Sequence, residues 1–478
     1  MSSASQEGLT AKKGENFDEW YTQVVLKSEI ADYSPVSGCV VFRPSGYAIW
    51  ENIQKETDAQ LKKSGVSNTY FPLLIPERLL KKEAEHVEGF APEVAWVTQT
   101  GDSKLDERLA IRPTSETLMY EVVSRWIRSW RDLPLRLNQW NNVIRWEFKH
   151  PTMLLRSREF LWNEGHSLFA TREEADAERD VVMGIYRRMT EEWMALPGYF
   201  GRKSRSETFA GAEATYCIEH LLPDGKAIQG PDWHADGQNF SKAFEITFVD
   251  KDGNKQFAYQ NTWAISTREL GVMLAVHSDD RGAVVPPRLA AVQVVLVPIM
   301  NDESKQAVLA EAAKLLGALS RFRTILDDRD HLTPGRKFNQ WELKGVPLRV
   351  EFGPRDMKER QAVLVRRDTG AKRVVKAAAI EDEVEKELEE IQASLYRKAS
   401  DALSKNTHQA DTMGELKKTL GQKGGIVQIP WCEDAECEAK LKQETGGVVL
   451  NVLLDTEKGK CIVCGKGSSH RANFGKSY

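Results

Sequence analysis

Residues Val143 to His166 read VIRWEFKHPTMLLRSREFLWNEGH, and this stretch decides the fold. Apolar and charged residues interleave from Val143 through Ile144, Arg145, Trp146 and Glu147 to Phe148. They do so again from Arg158 to Leu168, where Glu159, Phe160, Trp162 and Glu164 follow one another. That spacing predicts two strands, each with one packed and one working face. The loop between them carries Lys149, His150, Arg156 and Ser157. A ribbon of this kind offers cations, carboxylates and aromatic rings on one face. Such a face suits a polyphosphate beside a flat ring and a small amphiphilic ligand.

The rest of the chain sets the scale. At 478 residues it exceeds one ordinary core, and a prior of about 150 residues per domain gives two to four domains. Apolar residues make up 41% and charged residues 28%, the proportions of a soluble globular protein. Lys plus Arg (66) nearly balances Asp plus Glu (70), so any nucleic-acid surface has to be local. The first sixteen residues are small and polar and lack the apolar core of a signal peptide. No apolar run is long enough to cross a membrane. Six cysteines in such a length do not form a disulfide framework, which points to a reducing cytoplasm.

Working outward from the ribbon, an amphipathic helix is expected from Asn16 to Ile30 and a second from Tyr47 to Lys63, closed by Gly65. An apolar strand, Thr69 to Ile75, contains Pro72, which restricts it to an edge or an interface. Arg112-Pro113-Thr114-Ser115-Glu116 precedes a helical run from Leu118 to Trp130. Thr114 or Ser115 could serve as an ordinary N-cap, or Thr114 and Glu116 could face a ligand ammonium. Thr171 to Leu196 reads as a charged, solvated helix. Lys226 to Val249 holds Gln229, Gly230, His234, Gly237 and Gln238 ahead of a strand from Ala243 to Val249, small and amide residues suited either to a pocket floor or to a turn. Arg268 stands in the first turn of a helix entered through Ser266 and Thr267. There it opposes the helix dipole unless an anion is held nearby.

The breaker-rich segment His277 to Pro287 marks a domain boundary. Beyond it strands (Val292–Pro298, Arg323–Leu326, Leu348–Phe352, Val363–Arg367) alternate with helices (Glu303–Leu319, Gly335–Lys344, Glu381–Leu403), the pattern of a small α/β domain. Cys432, Cys437, Cys461 and Cys464 then form two pairs, C-x4-C and C-x2-C. Four thiolates so spaced can surround one tetrahedral ion, with zinc the usual occupant, and a fully thiolate set leaves no open position for catalysis.

Taken together, Arg145-x-Glu147, the basic loop, Arg156 and Phe160 resemble the second signature motif of class II aminoacyl-tRNA synthetases. The helix and strand ending at Pro72 resemble the first motif, and Thr267-Arg268 the third. Pro113-Thr114-Ser115-Glu116, Phe160-x-Trp162-x-Glu164-Gly165-His166 and the late cysteines are similar to the prolyl family of archaeal or eukaryote-like type. The resemblance covers nearly the whole chain after the first fifteen residues.

The resemblance implies an α/β multidomain protein: a disordered stretch at 1–15, a class II catalytic domain on an antiparallel sheet at 16–285, an α/β anticodon-binding domain at 288–405 and a small α/β zinc-binding C-terminal domain at 411–478. The implied reaction activates L-proline with ATP and Mg²⁺ and transfers it to tRNA(Pro), within a cytoplasmic homodimer. Arg145 and Arg268 would carry catalysis. Arg145, Glu147, Arg156, Gln229 and Arg268 would bind ATP; Thr114, Glu116, Arg145, Phe160, Trp162, His166 and His234 would bind proline. Glu342 and Arg349 match anticodon-reading positions, although an ordinary surface ion pair competes with that reading. Tyr478 matches a terminal tyrosine that turns back toward the active site in relatives.

One departure stands out: relatives carry Thr-Ser-His where this chain has Asp232-Trp233-His234. The span between the second and third motifs is too short for a separate hydrolytic insertion, which argues against editing of mischarged alanine within this polypeptide. Two rivals remain. A threonyl enzyme would need an open zinc site in its pocket, whereas these cysteines form a closed set. A non-catalytic synthetase-like protein should have lost ATP ligands, whereas Arg145, Glu147, Arg156 and Arg268 are all present.

Overall fold

The computed structural model describes residues 8–86, 93–147, 149–422 and 424–478. Its centre is an antiparallel sheet in which Tyr199–Arg202, Ala214–Leu221, Ala227–Gly237, Tyr259–Ser266, Glu159–Phe169 and Leu135–Ile144 lie side by side in that order. Ser67–Asn68 adds a short parallel edge. The helices Arg172–Arg188 and Arg268–His277 pack on this sheet, and Trp20, Tyr21, Val182, Tyr186, Trp233, Trp263, Leu270 and Met273 join in one buried core. The expected antiparallel catalytic sheet is thus present. The helix read as a solvated face instead buries Ala175, Glu178, Val182, Met183 and Tyr186 against it.

Several elements begin or end elsewhere than expected, each for a local reason. The first limb of the ribbon is regular only to Ile144. Arg145 still donates its amide to Arg158 O (2.8 Å), but the chain then leaves the ladder, and Trp146 N turns to Glu93 O. Phe148, expected to extend that strand, lies outside the described residues. The strand expected from Thr69 to Ile75 splits into Ser67–Asn68 and Leu74–Pro76, because Pro72 has no amide to offer a ladder. The segment 226–237, whose small and amide residues suit a pocket floor or a turn, is the long strand Ala227–Gly237. The short helix Asn239–Ala243 and the strand Thr247–Val249 replace the strand expected from Ala243.

Of the stretch expected to be disordered, residues 1–7 lie outside the described residues and 8–15 are fixed to the core. Lys13 Nζ donates to Val276 O (2.9 Å) and Ser278 O (2.8 Å), satisfying carbonyls at the end of the helix Arg268–His277, and Thr10 N donates to Gln23 Oε1. His277, at that same end, is buried and hydrogen-bonds Met194 O at 2.9 Å through Nε2. Burial, aided by Lys13 and Lys398, draws its pKa down to about 4. The folded protein therefore binds fewer protons here than the unfolded chain does. Stability from this site is complete above about pH 6.5 and is lost as the pH falls towards 4, by about 3 kcal/mol at most. His277→Gln, which keeps a donor for Met194, is expected to flatten this acid limb. Thermal unfolding midpoints measured from pH 7.5 to 4.5 check it, and a variant that tracks the wild type would refute it.

Beyond the core sheet, Val294–Pro298 pairs in parallel with Thr324–Leu326 and Leu348–Phe352. Gln361–Arg366 and Lys372–Lys376 add antiparallel strands, giving the expected α/β unit with helices Lys305–Ala318 and Pro334–Leu343. The 26-residue helix Ile380–Lys405 leads on to Thr407–Gln409, Ile426–Trp431, His470–Gly475 and Val448–Val452. These four strands prolong the central sheet past Tyr199–Arg202 to a total of eleven, through the pairing of Val452 with Arg202. Gly201 permits this joint: a Cβ there would stand 2.5 Å from Val452 O. Asn451 strengthens it by donating its side-chain amide to Tyr199 O at 2.8 Å.

Candidate active site

Two cavities meet on the face of the sheet that carries the ribbon. The inner one, about 220 Å³, is lined by Thr114, Glu116, Trp162, His166 and His234, with Gly165 and Trp263 as its floor. Gly165 is required because a Cβ would lie 2.0 Å from the Trp263 ring. The outer cavity, about 170 Å³, is lined by Glu147, Phe160, Gly230 and Arg268. Arg145, Trp162, Gln229, Asp232 and Ala264 line both. A ligand in one cavity therefore abuts a ligand in the other, across Arg145.

The inner cavity is carboxylate-rich. Thr114 and Ser115 do not cap the helix Glu116–Val123; Thr114 Oγ1 donates to the Glu116 carboxylate, and Ser115 Oγ accepts from Gln139 Nε2. Neither hydroxyl serves as the N-cap, and Thr114 and Glu116 both line the inner cavity. Glu164, two residues before His166 on the same strand face, is fully buried. Burial would push its carboxyl up, but His166, Ser115 and Asn141 hold it below its ordinary value. His166 sits between Tyr120 Oη (3.1 Å from Nδ1) and Glu164 (3.3 Å from Nε2), each ring nitrogen within hydrogen-bond reach of one partner. Beneath, Asp236 is wholly buried with neither oxygen partnered. Desolvation first, and then the neighbouring Glu116, push its carboxyl well above the usual range.

The outer cavity is organised by guanidinium groups. Arg268 is fixed by Nε to Leu155 O (3.1 Å) and Nη1 to Gln229 O (3.2 Å). Burial lowers its pKa; Glu269 and Asp232 oppose this, while Arg145 and Arg156 reinforce it. Arg145 and Arg268, two guanidinium groups lining one cavity, suit a multiply charged anion. Arg145 is held by Nε to Pro113 O (3.0 Å), with its guanidinium 5.1 Å from the Trp162 ring centroid and 5.6 Å from that of Phe160.

Most expected site residues therefore converge, with two displacements. Phe160, expected beside proline, lines the outer cavity and meets Trp162 edge-on at 5.5 Å. Same-face residues on a strand advance about 7 Å per pair, so Phe160 lies well away from His166 along the ribbon. Arg156 points at the last residue, its Nη2 donating to Tyr478 O at 2.5 Å, and is not part of either cavity wall. Three contributors escape a reading of the sequence for single motifs. Glu164 is the most legible of them, since it shares the alternation of Trp162 and His166. Glu207 and Phe209 come from the loop before Ala214–Leu221, where no periodicity marks an inward side chain. Asp232 lies at the junction, its Oδ2 accepting from Gln229 Nε2 (2.8 Å) and its buried Oδ1 3.5 Å from His234 Nε2.

Two further groups lie apart. Glu342 and Arg349 share a cavity of about 160 Å³ with Arg281, Arg366, Arg367 and Lys372. Each is already paired, Glu342 with Arg281 (2.6 Å) and Arg349 with Glu351 (2.9 Å). The four late cysteines bring their sulfurs within 4.8 Å of one another, with Cys432 3.7 Å from both Cys437 and Cys464. Sulfurs bound at about 2.3 Å to a tetrahedral zinc stand about 3.8 Å apart, so the set fits that ion.

Comparison with known proteins agrees with this geometry. The class II core domain of tRNA synthetases (G, H, P, S and T) matches residues 96–277, an anticodon binding domain matches 293–387, and the prolyl-tRNA synthetase C-terminal domain matches 413–478. Fold and site thus define a class II aminoacyl-tRNA synthetase. The chain is 47% identical to the proline--tRNA ligase of Natranaerobius thermophilus over 95% of its own length and 94% of that protein. It is likewise 47% identical to the proline--tRNA ligase of Cenarchaeum symbiosum, over 98% of its length and 99% of that protein. The bifunctional glutamate/proline--tRNA ligase of Mus musculus matches at the same identity over 98% of the chain, which spans 33% of that longer protein. The chain belongs to the proline--tRNA ligase family.

Proposed function

We propose that the protein condenses L-proline with ATP to prolyl-adenylate and pyrophosphate, then transfers the prolyl group to the 3′ end of tRNA(Pro), with residues 16–285, 288–405 and 411–478 as its catalytic, anticodon-binding and zinc-binding domains. The observation that carries this reading is the pair of cavities sharing Arg145. Proline occupies the inner one, its secondary ammonium facing Thr114 and Glu116 and its ring between Trp162 and His166, an apolar body with one charge at its end. ATP occupies the outer one, its adenine amino group towards Glu147, its ribose near Gln229 and its phosphates on Arg268. Mg²⁺ bound with those phosphates would supply further charge neutralisation for the pyrophosphate leaving group beside Arg268. Arg145 then lies where carboxylate oxygen and α-phosphorus approach, and stabilises the charge that builds there. The chain supplies orientation and electrostatics, with no protein nucleophile. Arg156 joins the phosphate site on exchanging Tyr478 O for a phosphate oxygen.

Amino-acid-dependent ATP–pyrophosphate exchange tests this directly: exchange with proline is expected, and exchange with threonine or serine instead would sink the assignment. Transfer depends on the second module. Arg349→Ala is expected to lower charging of tRNA(Pro) by about ten- to a hundredfold while leaving proline-dependent exchange unchanged, since a guanine edge read by arginine contributes about 1–3 kcal/mol. Equal loss in both assays would refute an anticodon role.

A homodimer in the cytoplasm completes the reading. Tyr33, Val36, Val41, Tyr47, Tyr70 and Leu74, drawn from the stretch of chain that leads up to and past Pro72, are all exposed apolar residues, with Tyr70 71% accessible. A cluster of this kind favours burial against a second copy. No described helix is long and apolar enough to cross a membrane.

A further inference from the structure

A third depression, an open groove of about 940 Å³, runs between the loop 205–213, the helix Asn239–Ala243 and the cysteine-bearing module. Phe209 lines both this groove and the inner cavity. The adenylation chemistry makes no use of it. Any second substrate must nonetheless reach the junction at Arg145 from a side other than that of the nucleotide, because the outer cavity is filled when the adenylate forms.

The charges in the groove are unevenly matched. Its two acids are compensated within the protein: Glu433 by Arg202 (2.5 Å) and Glu213 by Arg172 (2.8 Å). The side chains of Arg205 and Lys242 are exposed and, among the described residues, take part in no ion pair or hydrogen bond. Two uncompensated cations in one groove are a local surplus on a chain whose formal net charge is −4. Phe209 adds an aromatic ring where the groove meets the inner cavity. Free cations along a channel with a ring at its end suit the backbone and bases of single-stranded nucleic acid. The opposite wall comes from Trp431 and Glu433, which flank Cys432. The cysteine cluster thereby holds one side of the groove in place.

We propose that this groove receives the single-stranded 3′ end of the tRNA and leads its terminal ribose past Phe209 to the carbonyl of the bound adenylate, a role that rests on the function proposed above. Arg205 and Lys242 then contact phosphates of the incoming strand, and neither touches proline or ATP.

The test uses the full-length enzyme with Arg205→Ala and Lys242→Ala combined, an in vitro transcript of tRNA(Pro), and a minihelix that carries only the acceptor stem. Proline-dependent pyrophosphate exchange is expected at the wild-type rate, which also reports correct folding. kcat/KM for the transcript is expected to fall about ten- to a hundredfold, chiefly through KM. Its logarithmic dependence on salt should become shallower by about 1.4, or roughly 0.7 for each phosphate that the protein no longer neutralises. The minihelix should show the same relative reduction, since it has no anticodon to bind elsewhere, and Lys242→Glu alone should exceed Lys242→Ala. Wild-type charging by the double variant, with exchange intact, overturns the groove assignment alone. Absence of proline-dependent exchange in the wild-type protein overturns the catalytic reading beneath it.

Discussion

Arg145→Ala is expected to reduce proline-dependent pyrophosphate exchange by about a hundred- to a thousandfold, the scale on which an enzyme loses rate when a preorganised donor to transition-state charge is removed. The expectation follows from position. Arg145 lines both cavities, is tied to Pro113 O, and lies within cation–π distance of Phe160 and Trp162, so its guanidinium is oriented before any substrate arrives. Lysine should not rescue it, because a point charge can neither hold Pro113 O with one nitrogen and present the others forward nor stack between two rings. The decisive comparison is of kcat with KM. A purely ground-state role would raise KM for ATP with kcat kept, whereas the geometry predicts that kcat itself falls. Arg145→Ala retaining more than about a tenth of wild-type exchange would refute the central placement of this residue.

Removal of the late thiolates is expected to have the second large effect, on structure rather than on chemistry. With all four sulfurs within 4.8 Å of one another, one zinc per chain is expected by elemental analysis, and Cys432→Ser with Cys461→Ser should abolish it. Structural zinc binding contributes on the order of 10 kcal/mol, comparable to the whole stability of a small module, so strong chelation should melt residues 411–478 well below the midpoint of the remainder. Calorimetry resolving an early, zinc-restorable transition supports this. An unshifted single transition in the metal-free protein, or a purified protein without zinc, would show that the cysteines serve only as core.

Much of this site is legible in the sequence because it is built from short-range pattern. Trp162, Glu164 and His166 share a strand face by alternation, Arg268 betrays itself by opposing a helix dipole, and paired cysteines declare a four-thiol cluster by spacing. Thr114 and Glu116 are ambiguous in sequence, since a hydroxyl and an acid at a helix start serve a cap or a ligand equally well. The hydrogen bond from Gln139, on a strand 24 residues away, takes Ser115 out of the cap role, and no local window shows it. The strand Ala227–Gly237 is hidden because Gly230, Pro231 and Gly237 look like a turn, and one of its two ladder partners, Tyr259–Ser266, lies outside any local window. Glu207 and Phe209 are invisible for a related reason: a loop side chain points inward only because the strands on either side place it there. The disorder expected for residues 8–15 likewise yields to a long-range contact, the bonds from Lys13 to the carbonyls of Val276 and Ser278 at the far end of the catalytic core.

The seam at Gly201 and Val452 carries one more consequence. A sheet that stopped at Tyr199–Arg202 would present a bare rim of backbone donors and acceptors, the feature through which nascent chains recruit one another into aggregates. Val452 and the Asn451 side chain cover that rim from within the same polypeptide. During synthesis the catalytic core is completed before its own border guard has left the ribosome. The late module thus protects an edge of the catalytic sheet as well as carrying the four-cysteine cluster.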